Sequence, residues 1–248
     1  RLVVHGTATV NGGISARASS GGYGGSGGSV FLTAGALEGA GTIAAGVLSS
    51  SWQIGAGGRI AVILTNGNDF GQVGFQASPG ASTTDILYGG GAGTIYLQTQ
   101  GQGAGMGTLI LDAANRLLAN VTSISTNVAG DSVGTLVITN GAVLMIDSNR
   151  TLTVNGSWLN SSVPVNGGFY PHTNFLSGLT SAPNSTIILA STNEAIVSGT
   201  NAFCNLTCSN AVKIVRFTPG STNTVAGTLA IGGGVTLQST DDSSPWYL

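Results

Sequence analysis

The sequence predicts an all-β chain wound as a parallel β-helix, or β-solenoid, and three observations carry that expectation. One is a recurring word in which a glycine and a threonine lead into alternating aliphatics: Gly41-Thr42-Ile43-Ala44, Gly93-Thr94-Ile95-Tyr96-Leu97, Gly107-Thr108-Leu109-Ile110-Leu111, Gly134-Thr135-Leu136-Val137-Ile138 and Gly227-Thr228-Leu229-Ala230-Ile231. Each word suffices for one short strand, and each glycine-rich spacer can turn the chain without side-chain clash. Another is that the words recur at unequal intervals, the mark of a degenerate solenoid and not of an exact tandem array. The last is the stretch from Gly134 to Asn155. Here the words Thr135–Thr139, Ala142–Ile146 and Thr151–Val154 are separated by corners at Asn140-Gly141 and Asp147-Ser148-Asn149-Arg150. Three strands with their corners in roughly two dozen residues is what one turn of a parallel β-helix needs, with turns about 4.8 Å apart.

Along the chain, Leu2-Val3-Val4, Thr7-Ala8-Thr9-Val10 and Ile14-Ser15-Ala16 are separated by His5-Gly6 and by the tight-turn sequence Asn11-Gly12-Gly13. Residues 21–28 form a glycine-rich loop without the Lys-Ser/Thr ending of a phosphate-binding loop, so close backbone packing is its expected role. Strand words follow at Ser29–Thr33 and Gly58–Leu64. Residues 65–90 are weakly patterned, with Gln72–Ala77 as a strand candidate, and residues 155–185 read as a loop excursion rich in aromatic and turn residues. The β pattern resumes at Thr186 and runs to Leu237. The whole of 1–248 is expected to be one solenoid domain of roughly ten coils, near 50 Å long.

Composition removes several function classes. The chain has 41 Gly but 6 Pro and no strict Gly-X-Y period, which excludes collagen. A net charge of -2, with the 7 Lys and Arg scattered singly, gives no basic field for nucleic acid. Polar residues interrupt every apolar run well short of the roughly 20 that a membrane helix needs. Most strand words are also shorter than the about 9–11 residues of a membrane-barrel strand, so a membrane-spanning role is not expected.

The words Gly27–Gly35, Gly39–Ala45 and Gly57–Val62, with Phe203–Thr207, Val212–Gly220, Gly227–Leu237 and Ser243–Leu248, resemble the large Gly/Thr-rich secreted or cell-surface proteins of environmental bacteria. These are right-handed parallel β-helices of the filamentous-adhesin or autotransporter-passenger type. The resemblance implies an exported, elongated, adhesive or scaffolding protein, extracellular or on the cell surface, and supplies no catalytic residues to carry over.

The rival class is polysaccharide cleavage, since parallel β-helices also host lyases and hydrolases. Such chemistry needs clustered acids, or a cation opposite a base. The nine acids are isolated apart from Asp241-Asp242. Coil stacking could still gather Asp85, Asp112 and Asp131, whereas corner duty is the plainer role for Asp69, Asp131 and Asp147. Arg59 is expected on the outer face. His5 and His172 lie far apart without ligands at metal spacing, so no metal or other cofactor is expected. Trp158, Phe169, Tyr170 and Phe175 are either a sugar-stacking platform or packing residues, with packing favoured. Six Asn-x-Ser/Thr triplets begin at Asn120, Asn149, Asn155, Asn160, Asn184 and Asn205, a cheap pattern in so Asn/Ser/Thr-rich a chain. A straight strand over Phe203–Cys208 would hold Cys204 and Cys208 about 13 Å apart, too far for a disulfide, so free thiols are expected unless a bulge or bend closes the bridge.

Function is expected at the two ends. Arg1, Leu2, Val3 and Val4 begin as strand, and Pro245, Trp246, Tyr247 and Leu248 end as one, with no polar or helical cap at either side. The expectation is a non-enzymatic structural subunit whose partners are copies of itself, joined head to tail into a filament. The alternatives are a segment of a surface adhesin that binds glycans and, further behind, a polysaccharide-cleaving enzyme.

Overall fold

The computed structural model describes residues 1–19, 25–48, 55–80, 89–116, 120–125, 131–163, 178–192, 194–209, 211 and 214–241. Every regular element among them is a strand. The first group is β1 (Leu2–Thr9), β2 (Gly13–Ser15), β3 (Ser29–Glu38), β4 (Thr42–Ala44), β5 (Arg59–Leu64), β6 (Gly74–Gln76) and β7 (Thr94–Gln98). Next come β8 (Thr108–Asp112), β9 (Thr122–Ile124), β10 (Ser132–Val133), β11 (Thr135–Thr139), β12 (Leu144–Ile146), β13 (Thr151–Val154), β14 (Trp158–Asn160) and β15 (Leu179–Ser181). The last are β16 (Thr186–Leu189), β17 (Glu194–Ser198), β18 (Thr200–Phe203), β19 (Asn205–Cys208), β20 (Ile214–Phe217), β21 (Thr222–Val225), β22 (Leu229–Ile231) and β23 (Thr236–Ser239). The stretch 155–185 thus contributes β14 and β15, and residues 164–177 lie outside the described residues.

One ten-stranded sheet runs through the molecule in the order β1-β3-β5-β7-β8-β11-β14-β17-β20-β23. Shorter sheets flank it: β2-β4-β6 beside its first part, and β15-β12-β9, β10-β13-β16-β19-β22 and β18-β21 beside its second. Burial alternates along the strands, as in Arg59–Leu64, where Ile60, Val62 and Leu64 are buried. Parallel registers then set like residues over one another. Val133, Val154, Leu189 and Cys208 form one such column, and Leu152, Ile187 and Leu206 another.

The glycine that opens each strand word has a packing reason. A Cβ on Gly58 would lie 2.0 Å from the Gly28 carbonyl oxygen, and one on Gly93 2.1 Å from that of Gly58. Those carbonyls already accept the N–H groups of Arg59 and Thr94 at 2.9 and 3.0 Å. The backbones stack so closely there that only a residue without a side chain fits. Corners use the left-handed region: Asn140 and Gly141 have φ of 50° and 80°, and Asn149 and Asn184 of 60° each.

The ladders are parallel with one exception among the described residues: β7 pairs with β8 antiparallel. Residues 99–107 are too few to carry the chain back for a parallel neighbour, which takes a dozen or more. They fold instead as a glycine-rich hairpin loop closed by Tyr96, whose hydroxyl donates to Gln98 Oε1 at 2.7 Å and accepts the Gly107 N–H at 3.0 Å.

The core changes face at this hairpin. Ile95 and Leu97 lie against the first core, built on Leu32, Ile43, Ile60 and Val62, and so does Ile110, which stands opposite Ile95. Leu109 and Leu111 turn to the other face and join the second core with Leu136, Ile138 and Trp158. Two hydrophobic cores therefore lie on opposite faces of one continuous sheet.

Candidate functional site

At one edge of the ten-stranded sheet, Leu2 and Val4 of β1 stand in register with buried Leu32 and Ala34, and Val3 with Thr33. Among the described residues no strand lies beyond them in the sheet order, and Leu2 and Val3 are 45% and 53% exposed. The Arg1 guanidinium lies 5.3 Å from the centre of the Phe31 ring, a cation–π distance. Pro245, Trp246, Tyr247 and Leu248 fall outside the described residues.

At the opposite end, β22 and β23 are the last strands of their sheets. Leu229 and Ile231 continue the columns of Leu206 and Cys208, which are 0% and 1% exposed, yet they are themselves 36% and 48% exposed. These are inward-facing positions with no strand over them among the described residues. The sequence had placed both in a strand word without marking them as a surface.

Trp158 is a core residue, fully buried, packed edge to face on Phe203 at 5.4 Å between ring centres. Phe169, Tyr170 and Phe175 lie outside the described residues. The Trp158 indole N–H donates at 2.8 Å to Asn201 Oδ1, which also accepts from Asn160 Nδ2 at 2.9 Å. Asn201 Nδ2 donates in turn to Asn223 Oδ1 at 2.8 Å. The three asparagines are at most 1% exposed, so a polar seam runs through the second core. It ends on Asn223 Nδ2, which is buried without a partner among the described residues. The sequence carried a signal for two of the rungs, since Thr200-Asn201-Ala202-Phe203 and Thr222-Asn223-Thr224-Val225 are similar words that pair residue for residue. Asn160, which heads one Asn-x-Ser triplet, has its amide committed to this seam.

The acids are dispersed. Asp69 Oδ1 takes the Gly71 N–H at 2.9 Å and Asp112 Oδ1 the Ala114 N–H at 2.7 Å, both corner roles. Asp131 pairs with Arg150 at 2.6 Å and lines a cavity of about 510 Å³ with Arg59, Leu111, Ile124 and Leu144. Asp112 lines a different cavity, and Asp85 is outside the described residues. Among the described residues no three His, Cys, Asp or Glu side chains are grouped to hold a metal, and no helix is long and apolar enough to cross a membrane. Cys204 and Cys208 are both free. Cys204 lies at the bend between β18 and β19 and is half-buried, whereas Cys208 sits in an aliphatic column where burial pushes its thiol up to about 11.

A scan of protein-family models and searches of curated proteins and of solved structures find no match. Among the described residues the candidate surface is formed by the strands at the two edges. The structure places Leu2, Val3 and Val4 at one of them and adds Leu229 and Ile231 at the other.

Proposed function

We propose that the chain is a right-handed parallel β-solenoid with a non-enzymatic structural role outside the cell, and that copies join end to end through their terminal strands. The observation that carries this reading is the exposure of Leu229 and Ile231 at positions that are buried one coil earlier. Burying them beneath further strands gains roughly 25 cal/mol per Å² of apolar surface covered and fills the open sheet edges. Leu2 and Val4 offer the complementary inward-facing row on β1. The unpartnered amide of Asn223 points the same way, because an acceptor in an added coil would extend the seam. Ten strands in the long sheet, in sequence order along it, fit the roughly ten coils expected.

Analytical ultracentrifugation and negative-stain microscopy of the protein test this. Wild type is expected to self-associate with rising concentration into thin, unbranched filaments. The double substitution L229K/I231K is expected to remain monomeric with an unchanged β-type circular dichroism spectrum. A wild type that stays monodisperse at millimolar concentration overturns the proposal.

A further inference from the structure

The structure brings together two arginines that the sequence keeps far apart. Arg17 follows β2, beside the first core, and Arg116 lies at the corner after β8, beside the second. Two adjoining cavities of about 340 and 220 Å³ share Gln76, Ser78 and Arg116 as walls. The larger one adds Phe75, Ile95 and Asp112, and the smaller one adds Arg17, Val47 and Leu48. Arg17 Nη2 donates to Gln76 Oε1, and Arg116 Nη1 donates to the Pro79 carbonyl.

Among the described residues neither arginine is held in an ion pair. The ion pairs among the described residues are Arg150 with Asp131 and Arg216 with Glu194. Asp112 shares the larger cavity, where its charge favours the Arg116 guanidinium and its Oδ1 accepts the Ala114 N–H and the Asn140 amide at 2.7 and 3.0 Å. Burial and then the charge of Arg17 push the Arg116 guanidinium below its ordinary value, against the opposing pull of Asp112. In a chain with only 7 basic residues, two of them facing one groove is an arrangement that a bound anion would stabilise.

We propose that this groove binds a carboxylate-bearing saccharide of one or two rings. The carboxylate lies in the smaller cavity between Arg17 and Arg116, whose planar donor forks match it. The repulsion of Asp112 keeps the charged group out of the larger cavity, where Asp112, Gln76 and Ser78 instead meet ring hydroxyls. Phe75 and Leu48 offer apolar surface to the ring faces, the mixture of few polar groups on an apolar wall that small-molecule clefts use. This site is independent of the end-to-end contact.

Calorimetric titration with cellobiouronate, one uronic acid ring joined to one neutral ring, its neutral methyl ester and inorganic sulfate tests the assignment on the intact protein. Cellobiouronate is expected to bind, more weakly as salt rises, and the ester and sulfate at least about tenfold more weakly, a difference of about 1.4 kcal/mol. R17Q and R116Q are each expected to lose at least about tenfold in affinity, with R59Q, outside the groove, and L229K/I231K both binding as wild type does. If R116Q does not fold, exposed Arg17→Gln carries the test. No binding by wild type, equal binding of the ester or of sulfate, or undiminished binding by R17Q overturns the proposal.

Discussion

Ile95 and Ile110 stand opposite one another across the antiparallel ladder of β7 and β8, both turned to the first core. Ile110 is at the same time in register with Val137 of β11, on the outer face of the second core. A chain running parallel throughout would leave Ile110 on an outer surface, where an acid is tolerated. Here Ile110→Asp places a charge against apolar neighbours. It is expected to lower stability by about 2–4 kcal/mol, read as a shift in the urea midpoint. A loss below about 0.5 kcal/mol would contradict the change of face.

The glycines of the strand words and of the turns between them divide into two kinds. Gly58→Ala drives a methyl into the Gly28 carbonyl and is expected to prevent folding or to cost several kcal/mol. Gly12 has nothing within 4 Å of its Cβ position, so Gly12→Ala is expected to lie within about 0.5 kcal/mol of wild type. Thermal unfolding of the two variants side by side makes the comparison.

Asn201 is the middle rung of the buried seam. Asn201→Ala strands the Trp158 indole N–H, an amide hydrogen of Asn160 and the Asn223 carbonyl oxygen at once. A loss of about 2–4 kcal/mol in chemical denaturation is expected. Asn201→Asp keeps the acceptor for Trp158 but loses the donor to Asn223 and buries a charge, so it is expected to be no better than alanine near neutral pH.

Cys208 links stability to alkaline pH. Its folded thiol titrates near 11 against an ordinary value of 9.0, because burial disfavours the thiolate. Between those values the unfolded chain releases a proton that the folded one keeps. Stability is therefore expected to fall as pH rises from about 9 to 11. Cys208→Ala should flatten that part of the profile relative to wild type. At pH 8, a thiol reagent is expected to label Cys204 in the folded protein much faster than Cys208, and to count two thiols after denaturation.

Much of the fold was legible because local chemistry and global packing agree. The words at 135–139 and 151–154 and the corners at Asn140-Gly141 and Asn149 appear where the sequence put them, since alternation, turn residues and stacking all favour the same backbone. The reversal at β7–β8 was not legible. Gly107-Thr108-Leu109 carries the same strand signal as the other words, and alternation does not record which neighbour a strand chooses or which of its faces meets a core. Trp158 looked like part of a loop because turn residues surround it, yet its strand position and the indole bond to Asn201 draw it inward. Arg17 and Arg116 carried no local signal, for only the stacking of corners sets them side by side.

The reversal at β7–β8 also fixes the symmetry of any filament the chain builds. β1 and β23 run in opposite directions and shelter their cores on opposite faces of the same sheet. A copy added by pure translation would set β1 antiparallel to β23 and switch the core across the sheet at every junction. A copy turned by about half a revolution around the stacking axis meets β23 with a parallel strand and a core on the same side, which covers Leu229 and Ile231 more fully. The filament expected from that joint is a twofold screw, a heterologous assembly that does not close. Its axial period would span two molecules, about 100 Å at about 4.8 Å per strand, and not one.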